Sequence, residues 1–240
     1  MTKVILFGRN LNLIKPLVIK TGFEIVKSKP DFVISYGGDG TLMQSEHEFP
    51  GIPKIILKGS LICKKASCFT NEEILSRLQS HRGSSIRSGK KIKKGKFKIK
   101  SYFKLEAIAG NKKIVAVNDI VLHNNNARHA IRYRVWINGK ELGKEVIGDG
   151  AVIATPFGST AYYRSITDSF FELGIGLAFN NSTEQFDHMV LKEDSEIKIK
   201  IVRGPAVVYG DNQEDHIDLL TDGEIVIRRS DKVMNIVNLI

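Results

Sequence analysis

The apolar run Asp31-Phe32-Val33-Ile34-Ser35-Tyr36 passes directly into Gly37-Gly38-Asp39-Gly40-Thr41, and Thr41 to Glu48 then takes a helical pattern. A buried-type strand, a glycine turn and a helix in that order belong to an α/β unit. The rest of the first third agrees. Val4-Ile5-Leu6-Phe7 reads as a strand, Leu11 to Thr21 as a helix stopped by Gly22, and Pro53 to Leu57 as a third strand. Thr70-Asn71-Glu72-Glu73 is a capping box that opens a helix around Ile74 to Leu78. A small, open, mostly parallel sheet is expected.

The pattern changes after His81 to Gly95, a stretch rich in Ser, Gly and Lys. This places a domain boundary between 84 and 85, giving an α/β domain over 1–84 and a β-rich domain over 85–240 whose C-terminal tail can pack back on the first. Beyond the boundary, Phe97 to Ala109, Lys113 to Leu122, Ala130 to Ile137 and Ser195 to Val202 read as strands. Asn138-Gly139 is a hairpin turn, and Asp222-Gly223 a second one joining Ile217-Leu219 to Ile225-Ile227.

Of the 240 residues 42% are hydrophobic, enough for at least one core. Neither a membrane-length apolar run nor a secretory signal pattern is seen, so a cytoplasmic protein with no membrane partner is expected. Cys63 and Cys68 fit no zinc spacing and read as reduced thiols. The net charge of +10 is concentrated in Lys90, Lys91, Lys93, Lys94, Lys96, Lys98 and Lys100. These lysines read as a solvated face or as a field that attracts phosphates. No nucleic-acid partner is expected, because no aromatic-interleaved recognition motif accompanies them.

Chemistry enters with Gly37, Gly38, Gly40 and Thr41. Their glycines permit positive φ and close approach, and their N–H groups with the start of the following helix form a cradle for phosphate oxygens. Asp39 is an anion inside that cradle, which makes sense if it holds Mg²⁺ or accepts a proton from an attacking hydroxyl. The other reading is a tight turn with Asp39 as a helix cap. The string is neither a Walker loop nor the dinucleotide fingerprint.

A longer signal follows in Gly148-Asp149-Gly150-Ala151-Val152-Ile153-Ala154-Thr155-Pro156-Phe157-Gly158-Ser159-Thr160-Ala161-Tyr162. It is a glycine turn, a short strand, a Pro–Gly turn and a helix opening. Ser159 and Thr160 offer hydroxyls to a ligand or a cap, Ala161 leaves room, and Tyr162 offers a stacking face.

Gly37 to Thr41, Asn118-Asp119 and Gly148 to Tyr162, in that order, resemble the three signature segments of the NAD kinase family. The glycine-glycine-aspartate loop alone is shared with 6-phosphofructokinases and with diacylglycerol and sphingosine kinases; the long third segment is not. The resemblance implies transfer of the γ-phosphoryl group of ATP, or of polyphosphate, to the 2′-hydroxyl of the adenosine ribose of NAD. It implies Mg²⁺ or another divalent cation carried by the nucleotide phosphates with Asp39 as partner, and a homodimer or homotetramer. It makes Asp39 the catalytic candidate and Gly37, Gly38, Gly40 and Thr41 the ATP-phosphate loop. The NAD pocket it implies is Asp39, Gly40, Asn118, Asp119, Asp149, Ser159, Thr160, Ala161, Tyr162, Ser165 and Asn212. From the residues alone, Asn118-Asp119 reads equally as a bulge or turn in its strand.

The chain departs from the family pattern at several places, among them Thr167-Asp168-Ser169-Phe170, which replaces the glycine-rich continuation after the tyrosine. Lys58-Gly59-Ser60-Leu61-Ile62-Cys63-Lys64 lacks the Gly-Phe of the family element after the third strand. Phe179-Asn180-Asn181-Ser182 stands where a Pro-His-Ser element is expected, and Asp211-Asn212-Gln213 resembles a degraded Asp-Gly-Gln. Gly174-Ile175-Gly176-Leu177-Ala178-Phe179 suits a partner surface or a buried strand. The rival functions are a lipid or sugar kinase built on the first motif, a non-catalytic NAD or NADP sensor, and a basic nucleic-acid-binding protein.

Overall fold

The computed structural model describes residues 1–59, 65, 67–79, 97–184 and 188–239. The expected boundary stretch, Lys90 to Lys96, Cys63 and most of the Lys58 to Lys64 element lie outside them. The chain forms two compact units, one of residues 1–102 with 234–240, the other of residues 103–233. The division falls inside the strand Phe97–Ala109 and not at 84/85.

In the first unit Phe23–Ile25, Thr2–Gly8, Phe32–Gly37 and Lys54–Lys58 lie side by side in that order, all parallel. Ile236, on the last strand, continues the sheet beside Lys54. Parallel neighbours need crossovers: Lys15–Lys20 lies in the one from Thr2–Gly8 to Phe23–Ile25 and Asp39–Glu48 in the one from Phe32–Gly37 to Lys54–Lys58, while Asn71–Gln79 follows the last of these strands. Val33, Ile34, Ile55 and Leu57 are all buried, as expected for a strand covered on both faces. The capping box forms: Thr70 N–H donates to Glu73 Oε2 at 2.8 Å and Glu73 N–H to Thr70 Oγ1 at 3.2 Å. The helix expected over Leu11 to Thr21 is broken instead into a 3₁₀ turn, Leu11–Leu13, and Lys15–Lys20, with Pro16 in the first turn of the second piece. The strand Phe23–Ile25 is too short to show a period in the sequence.

The second unit packs two antiparallel sheets around one core. The first runs Met189–Leu191, Ile175–Asn180, Gly150–Ala154, Asp119–Asn124, Ala206–Gly210, His216–Leu219. The second contains Val146–Gly148, Ile131–Ile137, Ile197–Arg203 and residues 224–227. Ile197, Ile199 and Ile201 point into the core with Ile120, Leu122, Ile153 and Leu177 from the facing sheet. Val121, Val152 and Ala178 alternate to the opposite face, where they pack on Tyr163. Asn138 and Gly139 take φ of 51° and 80°, the two positive values a tight hairpin turn requires.

Three expectations change here. The strand over Lys113 to Leu122 is two strands, Lys112–Ala116 and Asp119–Asn124, interrupted at Val117-Asn118. Asp222-Gly223 joins no hairpin between its neighbours: His216–Leu219 pairs with Ala206–Gly210, while residues 224–227 pair with Ile197 to Lys200 of the other sheet. Gly174 to Phe179 takes the buried-strand reading and not that of a partner surface, since Ile175, Leu177, Ala178 and Phe179 are all buried.

In the first unit Lys54 is fully buried, and its ammonium donates to Glu46 Oε2 (2.5 Å), Phe49 O (2.7 Å) and Ile52 O (2.6 Å). Glu46 Oε1 accepts Gly51 N–H, so the pair ties the helix Asp39–Glu48 to the following strand. Replacing Glu46 by Ala strips a buried cation of its counter-charge and should cost about 3–5 kcal/mol in urea denaturation. The double variant Glu46→Leu, Lys54→Met should recover most of that loss. A loss under about 1 kcal/mol in the single variant would contradict the role.

Candidate functional site

The Gly37 to Thr41 loop is built by close approach more than by unusual dihedrals. Gly38 is the N-cap of the helix Asp39–Glu48 at φ −104°, and its carbonyl accepts Leu42 N–H at 3.2 Å. A Cβ on Gly37 would lie 2.3 Å from Thr41 Oγ1, so glycine is needed there for space, not for positive φ. The helix start is the positive end of the helix dipole. Asp39 and Gly40 lie in that turn, with Asp39 Oδ1 accepting Lys65 N–H at 3.1 Å. The donor set suits a hard cation such as Mg²⁺ through a single carboxylate. Among the described residues no three His, Cys, Asp or Glu gather as a metal cage.

In the second unit the break at Val117-Asn118 is the centre of the arrangement. Asp211 accepts N–H groups from Val117 (2.8 Å), Asn118 (2.7 Å) and Asp119 (3.4 Å). Thr155 takes the carbonyls: its hydroxyl donates to Val117 O at 2.6 Å and its N–H to Asn118 O at 2.8 Å. Gly158 presses on the same segment, where a Cβ would lie 2.1 Å from Asn118 O. The turn reading of Asn118-Asp119 therefore applies.

Asp149 is held by Asn124 Nδ2 at 3.0 Å and Asn181 Nδ2 at 2.7 Å. Asn180 Nδ2 donates to the Tyr162 hydroxyl at 3.1 Å. The two asparagines that replace the expected Pro-His-Ser element thus support two of the candidate residues. Burial raises the pKa of Tyr162, and the charges of Asp149 and Asp119 raise it further, so these three side chains share one locality.

Other candidates fare differently. Ser159 is fully buried, and its one hydroxyl proton serves Pro156 O (2.9 Å) or Phe171 O (3.0 Å), so it stabilises the turn and is not open to a ligand. Ser165 donates to Tyr162 O at 2.7 Å from an exposed face. Ala161 and Asn212 are exposed and Thr160 is half-buried.

Burial and the neighbouring charge of Asp211 push Asp119 up to about 7. Burial raises Asp211 as well, but the N–H groups of Val117, Asn118 and Asp119 and the charge of Lys104 pull it back. The net shift of Asp211 is still upward, but three N–H donors on its oxygens favour the anion there, while Asp119 keeps its proton towards neutral pH. Sequence reasoning missed Asp211, Thr155 and Gly158 as parts of the site, although two of them lie within the long third motif.

The chain combines an α/β unit that carries a glycine-rich loop with a two-sheet unit that carries a carboxyl-lined turn. Residues 117–239 match the ATP-NAD kinase C-terminal domain. The chain belongs to the NAD kinase family. The NAD kinase of Gemmatimonas aurantiaca is 28% identical over 232 residues, 91% of this chain and 76% of that protein. The NAD kinase of Methanopyrus kandleri is 27% identical over 221 residues, 85% and 71% respectively. With the NAD kinase of Clostridium beijerinckii the identity is 31% over 128 residues, spanning 42% of that protein's length. In fold, the chain is similar over its whole length to a yeast NADH kinase crystallised with NADH (TM-score 0.82, 18% identity, 84% of that chain covered). It is similar over 98% to an Archaeoglobus fulgidus NAD kinase crystallised with ATP (TM-score 0.76, 17% identity, 93% of that chain covered).

The contact at Gly158 gives a direct test. Gly158→Ala forces the Cβ against Asn118 O, which neither backbone can yield without moving the Asn118-Asp119 turn. The variant should lose about 2 kcal/mol or more in denaturation, as overpacking against backbone does. An alanine variant as stable as the parent would show that the turn is not held by this contact.

Proposed function

We propose that the protein transfers the γ-phosphoryl group of ATP, or a phosphoryl of polyphosphate, to the 2′-hydroxyl of the adenosine ribose of NAD, giving NADP. The observation that carries the reading is the Gly37 to Thr41 loop at the start of the helix Asp39–Glu48, in a chain whose residues 117–239 match the NAD kinase C-terminal domain. The Gemmatimonas and Methanopyrus relatives carry the name NAD kinase, and the two similar folds were crystallised with NADH and with ATP, which supports both substrates. A cytoplasmic homodimer or homotetramer belongs to the same reading. Among the described residues no helix is long and apolar enough to cross a membrane.

In this reading the phosphates of the donor lie on the loop of Gly37, Gly38, Gly40 and Thr41, at the positive end of the helix dipole. Asn118, Asp119, Asp149, Thr160, Ala161, Tyr162, Ser165 and Asn212 hold the dinucleotide. Asp39 orients the 2′-hydroxyl. The ribose oxygen forms a bond to the γ-phosphorus as the bond from that phosphorus to the β,γ-bridging oxygen breaks, and ADP leaves. A ribose hydroxyl is a weak acid, so its proton passes to the Asp39 carboxylate late in the transfer. Mg²⁺, when bound, neutralises phosphate charge, and Asp39 is the loop carboxylate able to contact it. The remaining work is positioning.

The test is NADP formation from NAD, ATP and Mg²⁺, read with an NADP-specific dehydrogenase, in the parent and in Asp39→Asn. The variant should fold normally, keep much of its nucleotide binding and lose at least about a hundredfold in turnover. Activity within a few-fold of the parent would remove Asp39 from its role.

A further inference from the structure

The interrupted strand has an unusual division of labour. Both backbone groups of Val117 and both of Asn118 are taken, the N–H groups by the Asp211 carboxylate and the carbonyls by Thr155. The side chains are not. Asn118 is buried, and its Oδ1 meets no donor among the described residues. Asp119 is also buried, at 6% exposure, and its neighbours supply no hydrogen bond to its carboxyl among those described. A backbone fixed at every group, carrying two side chains with unmet hydrogen-bonding capacity, presents those side chains to something outside the protein.

Asp211 itself is locked to the segment. It sits at φ 49° just beyond the strand Ala206–Gly210, and its own N–H donates to Asp119 O at 3.1 Å. Gln213, two residues on, donates to Val115 O at 2.8 Å, fastening the same turn to the preceding strand.

We propose that Asp211 is a positioning residue for the dinucleotide, its carboxylate setting the backbone of residues 117–119 so that Asn118 and Asp119 face the ligand. The proposal rests on the assignment of Asn118 and Asp119 to NAD. It has an electrostatic consequence. The fixed charge of Asp211 beside a buried Asp119 favours the protonated carboxyl, so Asp119 acts as a hydrogen-bond donor below a pH of about 7. The other groups facing the pair are Tyr162 and Tyr209, both raised first by burial and then partly by Asp119, and Lys104, which draws Asp211 towards its anion. The sign follows directly. A carboxyl whose folded pKa is raised stabilises the protein fully below its unfolded pKa, and loses that contribution as pH rises through about 7. The donor to the ligand is lost over the same range.

The experiment is calorimetric binding of NAD and, separately, of ATP between about pH 5 and pH 9, with the Asp119 carboxyl followed by ¹³C NMR. In the parent, NAD affinity should weaken as pH rises through about 7, and the Asp119 resonance should titrate there. Asp119→Asn should remove the pH dependence. Asp211→Asn keeps an acceptor oxygen but loses the charge, so both midpoints should move down by about one unit or more. Asp211→Ala should weaken NAD about tenfold and ATP by less than about twofold. Unmoved midpoints in Asp211→Asn, or equal weakening of NAD and ATP in Asp211→Ala, would overturn the proposal. If Asp211→Ala does not fold, the Asn variant and the NMR titration carry the test. Binding and titration are read without turnover. A parent that binds NAD with the expected pH response yet forms no NADP would therefore sink the kinase reading and leave the role of Asp211 intact.

Discussion

The carboxylate of Asp211 collects the N–H groups of Val117, Asn118 and Asp119, and the site in the second unit depends on that contact. Without it, an interrupted strand at the start of Asp119–Asn124 would leave buried N–H donors unsatisfied, at a cost of about 1–3 kcal/mol each. With it, the interruption becomes a rigid platform. Thr155 and Gly158 close the platform from the other side, and both belong to the run that continues into Tyr162. Three segments far apart in the chain thus fix one short turn. Its charge follows from the same contact, since stabilising the anion of Asp211 leaves the buried Asp119 as the member that keeps its proton.

The first unit solves a different problem with the same economy. A parallel sheet must be buried on both faces, which confines polar work to the ends of its strands. The strand Phe32–Gly37 ends in the glycine that lets Thr41 pack against it, and the helix Asp39–Glu48 starts there with the positive end of its dipole. Further along that helix the buried Glu46–Lys54 pair holds it to the strand Lys54–Lys58. A phosphate loop of this kind needs no strained backbone, only the absence of a side chain at Gly37.

Much of this was legible in the residues. The strand-glycine-helix order, the Thr70–Glu73 capping box and the Asn138-Gly139 turn are local signals, set by the period of apolar residues and by dihedral preferences, and they read correctly. The long third motif carried the family. What stayed hidden was long-range. Nothing near Asp222-Gly223 tells that the strands on either side lie in different sheets. Ser159 looked like a ligand hydroxyl, because its acceptors Pro156 O and Phe171 O are brought to it only by the fold. Asp211 looked like the remnant of a motif, since the donors that give it a role lie more than ninety residues earlier. The strand over Lys113 to Leu122 read as continuous because Val117 and Asn118 do not break the apolar pattern strongly enough to show a turn.

The central claim, phosphoryl transfer to one particular hydroxyl of NAD, is tested most directly by ³¹P NMR of the protein incubated with NAD, ATP and Mg²⁺. The account predicts a new phosphomonoester resonance coupled to the ribose 2′ proton of the adenosine half, growing in step with ADP. A spectrum showing only inorganic phosphate and ADP, or a phosphomonoester on any other hydroxyl, would contradict it.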